Sequence, residues 1–297
     1  MDTALRNRLT LGPVMLLSLV GILWLDWKIE KWTQDIDTPG LQGGIRGAAF
    51  TVMLILIVPL ATRELARLFA AEHVKPYRLI STLASSLILL HAFATQFEPF
   101  AKIAASTLAF IIIFTMVAAA WQRVRIRESQ QAIVGMAGTL LAVMYVGQLA
   151  WFMVALRVKD GEWFTGTIWH VVLLLLAVKF TDIGAFFVGR SFGKHKLIPW
   201  LSPGKTWEGL LGGLVFAGAI GALCATQIAG MGWERGLLFG VIIGGVGQMG
   251  DLFESMMKRD AEVKDSGSAV PGFGGVLDII DSPLLAAPVA YLCFSLL

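Results

Sequence analysis

The sequence predicts an all-α, polytopic integral membrane protein with about nine transmembrane helices. Three observations carry this. The 297-residue chain is 56% hydrophobic and only 15% charged, with a mean hydropathy of +0.72, whereas ordinary soluble domains carry roughly 25% charged residues. Charge-poor runs of bilayer-crossing length recur from end to end. Lys and Arg collect in alternate connections between those runs, the pattern expected when cytoplasmic loops are the basic ones. The same composition excludes disorder, which needs low hydrophobicity and high net charge. A net charge of +3 is too small for a nucleic-acid binder. The 2 cysteines, Cys224 and Cys293, lie in apolar stretches and read as small buried hydrophobes.

The runs fall near 9–25, 45–62, 79–97, 103–121, 132–156, 163–188, 209–233, 236–257 and 282–297. The first follows Arg6 and Arg8 without a small-residue cleavage site, so it is expected to be a retained span and not a signal peptide. Together the runs form a single membrane domain over 1–297, in which 1–160 hold motif-free spans and 180–283 hold the unusual polar residues. With the N-terminus inside, most of the 24 Lys and Arg fall in inside connections. These are Arg6 and Arg8; Arg63, Arg67, Lys75 and Arg78; Arg123, Arg125 and Arg127; Arg190, Lys194, Lys196 and Lys205; and Lys258, Arg259 and Lys264. The outside set is Lys28, Lys31, Arg46, Lys102, Arg157, Lys159 and Arg235, and the C-terminus then points outward. The inside connections 62–78 and 122–131 read as merely basic, whereas 189–208 and 258–281 differ in kind.

Two motifs resemble nucleotide-binding loops without their context. Gly245-Val246-Gly247-Gln248-Met249-Gly250 fits G-x-G-x-x-G but sits in an apolar span, with no strand before it. Close helix packing by Gly240, Gly244 and their neighbours accounts for it better. Gly204-Lys205-Thr206 ends like a P-loop, but Pro199 stands where the leading glycine belongs. Ser202-Pro203 reads instead as a helix start with Ser202 as the cap, and Lys205 beside it suits a phosphate. The four histidines, His73, His91, His170 and His195, show no ligand spacing; His91 and His170 are expected to pack within spans.

Asp182 and Asp251 lie in apolar runs, where a carboxylate is costly and marks function by default. Lys179, one turn before Asp182, offers it an ion pair; the nearest helical cation to Asp251 is Lys258, two turns on. Beyond Asp251, carboxylates and cations alternate through Glu254, Lys258, Arg259, Lys264, Asp265, Asp278 and Asp281, among glycines that admit close backbone approach. Asp278 and Asp281, three apart, are expected to share a helix face. Hard oxygen ligands suit Mg2+, which takes one or two carboxylates and completes its shell with water and substrate phosphates. The cluster therefore points to metal-assisted phosphoryl chemistry at the cytoplasmic membrane face.

These residues resemble the signature of the phosphatidate cytidylyltransferases (CDP-diacylglycerol synthases), which reads Ser-x-x-Lys-Arg-x4-Lys-Asp-x-Gly, then Pro-x-His-Gly-Gly-x-x-Asp-Arg-x-Asp. Ser255, Lys258, Arg259, Lys264, Asp265, Gly267, Pro271, Gly274, Gly275, Asp278 and Asp281 stand at matching spacing. A second block is also similar: Asp182, Gly189-Arg190, Phe192-Gly193-Lys194, and Ser202 through Gly209. The resemblance covers about residues 180–283. Two positions depart from it. Phe273 replaces the signature His, and Ile279 replaces an Arg that would be a bidentate phosphate donor.

The resemblance implies that phosphatidate attacks the α-phosphorus of CTP, giving CDP-diacylglycerol and pyrophosphate. It implies Asp251 and Asp278 as ligands of Mg2+, with room for a second cation, and Asp281 and Asp265 as supporting carboxylates. Lys258, Arg259, Lys264 and Lys205 would hold phosphates, Ser202 and Thr206 would donate hydroxyls, and Asp182 and Ser255 would complete the substrate site. The partners expected are CTP, phosphatidate or a similar lipid phosphate, and membrane lipids; glycine-lined spans also suggest a homodimer. The place expected is the cytoplasmic (inner) membrane, with the site on the cytoplasmic face. The alternatives are a CTP-dependent enzyme acting on another lipid phosphate or a lipid alcohol, and a polytopic transporter. A transporter predicts inverted repeats with interrupted helices in matching halves, and the sequence shows no such symmetry.

Overall fold

The computed structural model describes residues 3–36, 40–41, 43–127, 129–159, 166–228 and 231–296, and side chains from residue 6 onward except residue 8. Arg8, one of the expected inside cations, thus lies outside the described side chains. The chain packs as two compact units. One comprises Met1–Lys159 with Asp260–Ile279, the other Asp160–Arg259 with Ile280–Leu297.

The first unit holds α1 (Thr3–Thr33), α2 (Ala48–Ala71), α3 (Arg78–Ala94), the short α4 (Glu98–Ala101), α5 (Ala104–Ile126), α6 (Ala132–Ala142) and α7 (Leu149–Val158), the last two joined by a π-helical turn at Val143–Gln148. Ala84, Ile88 and Val143 form a buried core against which Leu108, Ile111 and Trp151 pack. His91 is held within it. Its Nε2 meets the Ala104 carbonyl at 3.0 Å, and its Nδ1 accepts the Trp151 indole N–H at 3.0 Å. This histidine is a packed, satisfied group, as its apolar setting predicts.

Two expectations change here. Arg157 is not a loop cation: it is fully buried, with Nε 2.6 Å from Asp26 and Nη2 2.8 Å from Glu30. Asp26 also accepts from the amides of Gly47 and Phe50. Removing one partner of such a pair strands the other charge, at about 3–5 kcal/mol. The stretch 62–78 is likewise not simply a basic connection. Helix α2 continues to Ala71 and carries Glu64 into the interior at 3% exposure.

The second unit holds α8 (Ile168–Phe192), a two-stranded antiparallel hairpin of β1 (Lys196–Ile198) and β2 (Ser202–Thr206), α9 (Trp207–Cys224), most of α10 (Trp233–Asp260) and all but the first turn of α11 (Leu277–Leu296). Thr167 and His170 form a reciprocal capping box at the start of α8, and the His170 ring lies against Phe294. Glycines set the helix spacing. A Cβ at Gly184 would stand 2.8 Å from Phe216, and Gly221 faces Gly236 backbone to backbone. Gly240 abuts Ala217, Gly247 meets Val178, and Gly250 touches the backbone of Asp281 and Ser282. The G-x-G-x-x-G stretch is thus a packing surface, and the glycine faces that suggested a homodimer are used within the unit.

Among the described residues, eight helices are long and apolar enough to cross a membrane, with Ala132–Val158 counted as one. The expected run at 79–97 is α3, a shorter apolar helix of 17 residues.

Candidate active site

Ser202 does not cap a helix. Residues 202–206 are extended, pairing Ser202 with Ile198 and Thr206 with Lys196, and the cap of α9 is Thr206, whose Oγ1 accepts from Gly209 N at 3.1 Å. The local reason lies in Glu208. Its carboxylate accepts from the amides of Lys194 and His195 and meets His195 Nδ1 at 2.6 Å. That draws 194–196 alongside 204–206, and the Trp207 amide bonds His195 O to extend the ladder. The helix is therefore delayed by four residues, and Lys205 is carried on a strand edge instead of in a first helical turn.

The hairpin, α8 and α10 enclose a cavity of about 680 Å3 within the second unit. Its polar lining is Asp182, Arg190, Lys205, Thr206, Gln248 and Asp251; Ala185, Phe186, Leu197 and Leu210 supply apolar wall. Lys205 is central. Its Nζ lies 2.7 Å from Asp251 Oδ2 and 3.4 Å from the Gln248 carbonyl. The Gln248 side-chain amide donates to Asp182 Oδ1 at 3.1 Å, and Lys179 Nζ reaches Asp182 Oδ2 at 3.7 Å. Arg190 sits over the Phe186 ring, 5.9 Å from its centroid. The cation of Asp251 is therefore Lys205, from a segment 46 positions earlier, and not Lys258 on its own helix. Lys258 instead pairs with the fully buried Glu254 at 3.2 Å.

Asp281 is buried in this unit, its Oδ1 accepting from Ser282 N, and it hydrogen-bonds with Glu254. The charge of Asp251 acts on both Asp182 and Asp281. Arg259 Nε donates to Leu201 O at 3.3 Å, tying the end of α10 to the hairpin turn, and Ser255 is half-buried on α10. Among the described residues no three His, Cys, Asp or Glu side chains form a metal cage. Mg2+ needs none, since it keeps waters and phosphates in its shell.

The remaining signature residues belong to the first unit. Lys264 and Asp265 are exposed at the start of a loop that turns through Gly272 (φ 87) and Gly274 (φ 101). Asp278, in the first turn of α11, accepts at Oδ2 from Ser266 N (3.0 Å), Ser266 Oγ (2.9 Å) and Gly275 N (2.7 Å). Asp278 and Asp281 thus share one helix, as expected. Phe273, in place of the signature His, reaches the position a Cβ of Gly12 would touch on α1. Sequence reasoning left Gln248, Glu208 and Glu64 without roles. Glu64 had a weak signal, an acid just past the apolar run 45–62, masked by Arg63 and Arg67 on either side.

The sequence pattern of the cytidylyltransferase family matches residues 42–297. The chain belongs to that family. It is accordingly a nucleotidyltransferase. A phosphatidate cytidylyltransferase of Synechocystis sp. is 31% identical over 270 residues, covering 82% of this chain and 88% of that protein. The chloroplastic phosphatidate cytidylyltransferase 5 of Arabidopsis thaliana is 33% identical over 273 residues, covering 82% of this chain and 65% of that protein. The phosphatidate cytidylyltransferase of Bacillus subtilis is 37% identical over a shorter 158 residues, 52% of this chain and 57% of that protein.

Proposed function

We propose that the protein makes CDP-diacylglycerol, joining the cytidylyl group of CTP to phosphatidate and releasing pyrophosphate. The observation that carries this reading is the cavity in which Lys205 bridges Asp251 and the Gln248 carbonyl, with Arg190 and Asp182 on its walls. It gathers fixed cations and carboxylates beside an apolar wall, which suits a phosphate carried by a lipid.

A phosphate oxygen of phosphatidate attacks the α-phosphorus of CTP. The bond from that phosphorus to the oxygen bridging the β-phosphate breaks, and pyrophosphate leaves with the electron pair. The attacking phosphate is already ionised near neutral pH, so the enzyme's task is to lower the repulsion between two anions and to align them. Lys205 supplies a compact positive charge that can exchange Asp251 for a phosphate oxygen. Arg190, braced on Phe186, offers a planar fork of donors. Lys258, Arg259 and Lys264 add positive charge for the triphosphate; Ser202, Ser255 and Thr206 serve as hydroxyl contacts.

Mg2+, when bound, supplies charge neutralisation and in-line positioning. Asp251 fits it: its carboxylate lines the cavity, is partly exposed, and has Asp182 as a second hard-oxygen donor on the same wall. Asp278 fits less well, because its Oδ2 already accepts three hydrogen bonds. Asp265 and Asp281 act as supporting carboxylates. Counting α3 beside the eight long helices gives nine crossings; with the basic connections on the cytoplasmic side of the inner membrane, the N-terminus faces the cytoplasm and the C-terminus the opposite side in this reading. CTP then arrives from the cytoplasm and the lipid from the inner leaflet.

The test is purified protein with labelled CTP, Mg2+ and phosphatidate, compared with isoprenoid phosphates and lipid alcohols and scored for CDP-lipid. Product with phosphatidate above the others is expected. No product with any lipid would defeat the reading.

A further inference from the structure

We propose that Glu64 is a positioning residue for the phosphoryl-transfer loop: its buried carboxylate on α2 holds Ser266–Leu277 in the shape that presents Lys264 and Asp265. The proposal rests on the cytidylyl-transfer reading above. Glu64 Oε2 accepts from Leu277 N at 2.9 Å and lies 3.4 Å from Ser266 Oγ. These partners are 213 and 202 positions away in sequence. Among the described residues no Lys or Arg pairs with Glu64. Its charge is met by N–H and O–H donors and by the start of α11, where a carboxylate is favourable.

The loop is an irregular segment: Val270 and Gly274 form an isolated bridge, Phe273 N donates to Val270 O, and the chain passes through two positive-φ glycines. Holding such a segment in one shape costs roughly 1–2 kcal/mol of backbone entropy per residue, so tertiary anchors must decide its form. Two carboxylates do so, Asp278 from the first turn of α11 and Glu64 from α2, and they meet at the Ser266 hydroxyl.

Glu64 also explains two glycines of the signature. A Cβ at Gly267 would run into Glu64 Oε1, with Cδ and Cγ at 2.8 and 2.9 Å. A Cβ at Gly275 would stand 2.6 Å from Glu64 Oε2, and against Ser266 Oγ. The backbone approaches the carboxylate so closely that no side chain fits between them.

The experiment uses the full chain in detergent, with Glu64→Ala, the isosteric Glu64→Gln, Gly267→Ala, and the double variant Glu64→Ala/Gly267→Ala. In Glu64→Ala we expect kcat for CDP-lipid formation to fall at least tenfold and KM for CTP to rise severalfold, because the loop that presents Lys264 to the triphosphate is released. Glu64→Gln, which keeps one acceptor, loses less. Gly267→Ala slows the wild-type background but adds little to Glu64→Ala, where the space it needs has been vacated. Hydrogen exchange at Ser266, Gly275 and Leu277 should quicken at least tenfold in Glu64→Ala, a readout that needs no substrate. Wild-type kcat in both Glu64 variants, unchanged exchange, or an equal cost of Gly267→Ala in both backgrounds overturns the proposal. If Glu64→Ala does not fold, the kcat and KM of Glu64→Gln decide it. If the wild-type protein makes no CDP-lipid, the functional reading fails and the exchange comparison alone decides whether Glu64 holds the loop.

Discussion

The cavity and the loop use carboxylates in opposite ways. Around the cavity, Asp251 and Asp182 face cations, Lys205 at 2.7 Å and Lys179 at 3.7 Å, on partly exposed walls. In the loop, Glu64 and Asp278 are bound to main-chain N–H groups and one hydroxyl of the protein. A carboxylate paired with a lysine at a cavity wall can trade its partner for a phosphate or a metal ion. One that accepts from the amides and hydroxyl of a neighbouring loop holds that loop's shape. Acids that face cations on the cavity wall are thereby open to substrate, whereas those bonded to the loop's own amides and hydroxyl build its shape.

The comparison can be broken most decisively at Asp251. Asp251→Asn keeps the size and removes the charge, and kcat should fall by roughly a thousandfold, the scale of losing one electrostatic contributor to a transition state, with the unfolding temperature unchanged. Pyrophosphate release and thermal unfolding in the same detergent check both halves; retained turnover would sink the role of Asp251. Asp278→Ala should show the reverse balance. Losing an acceptor of three hydrogen bonds costs about 2–4 kcal/mol net, seen as a drop of several degrees in unfolding temperature and faster cleavage of the 266–275 loop by added protease. If Asp278→Ala unfolds like wild type, the loop does not depend on it.

Lys205→Met comes next. Removing a charged phosphate contact should raise KM for CTP about tenfold, on the scale of a charge-assisted hydrogen bond, and flatten the salt dependence of KM. An unchanged KM would place the triphosphate elsewhere. Lys179→Met is the smallest. Its pair with Asp182 is 3.7 Å long and its side chain is 53% exposed, so its removal should change stability and kcat by less than about twofold, as for exposed ion pairs generally. A large effect there would mean that Lys179 touches substrate.

Much of this was legible in the residues. Runs of apolar length place the helices, and the acids Asp182 and Asp251 announce themselves because charge in a membrane span is expensive. What misled the reading was local in each case. Ser202-Pro203 has the composition of a helix start, yet Glu208 pulls the preceding segment into a hairpin and shifts the cap to Thr206. Arg157 looks like a loop charge because its partners, Asp26 and Glu30, lie more than a hundred residues earlier. Glu64 hides between two arginines whose basic character dominates the stretch.

The sequence by itself determined the class of the protein, the order of its spans and the chemical types at its site, because those follow from hydrophobicity and spacing along the chain. Only the tertiary structure decided which charge meets which: Lys205 with Asp251, Gln248 with Asp182, Glu64 with the loop of Ser266 to Leu277. Such pairings are set by helix packing at the glycine faces and by turns that bring distant segments together, and neither leaves a periodic mark in the sequence.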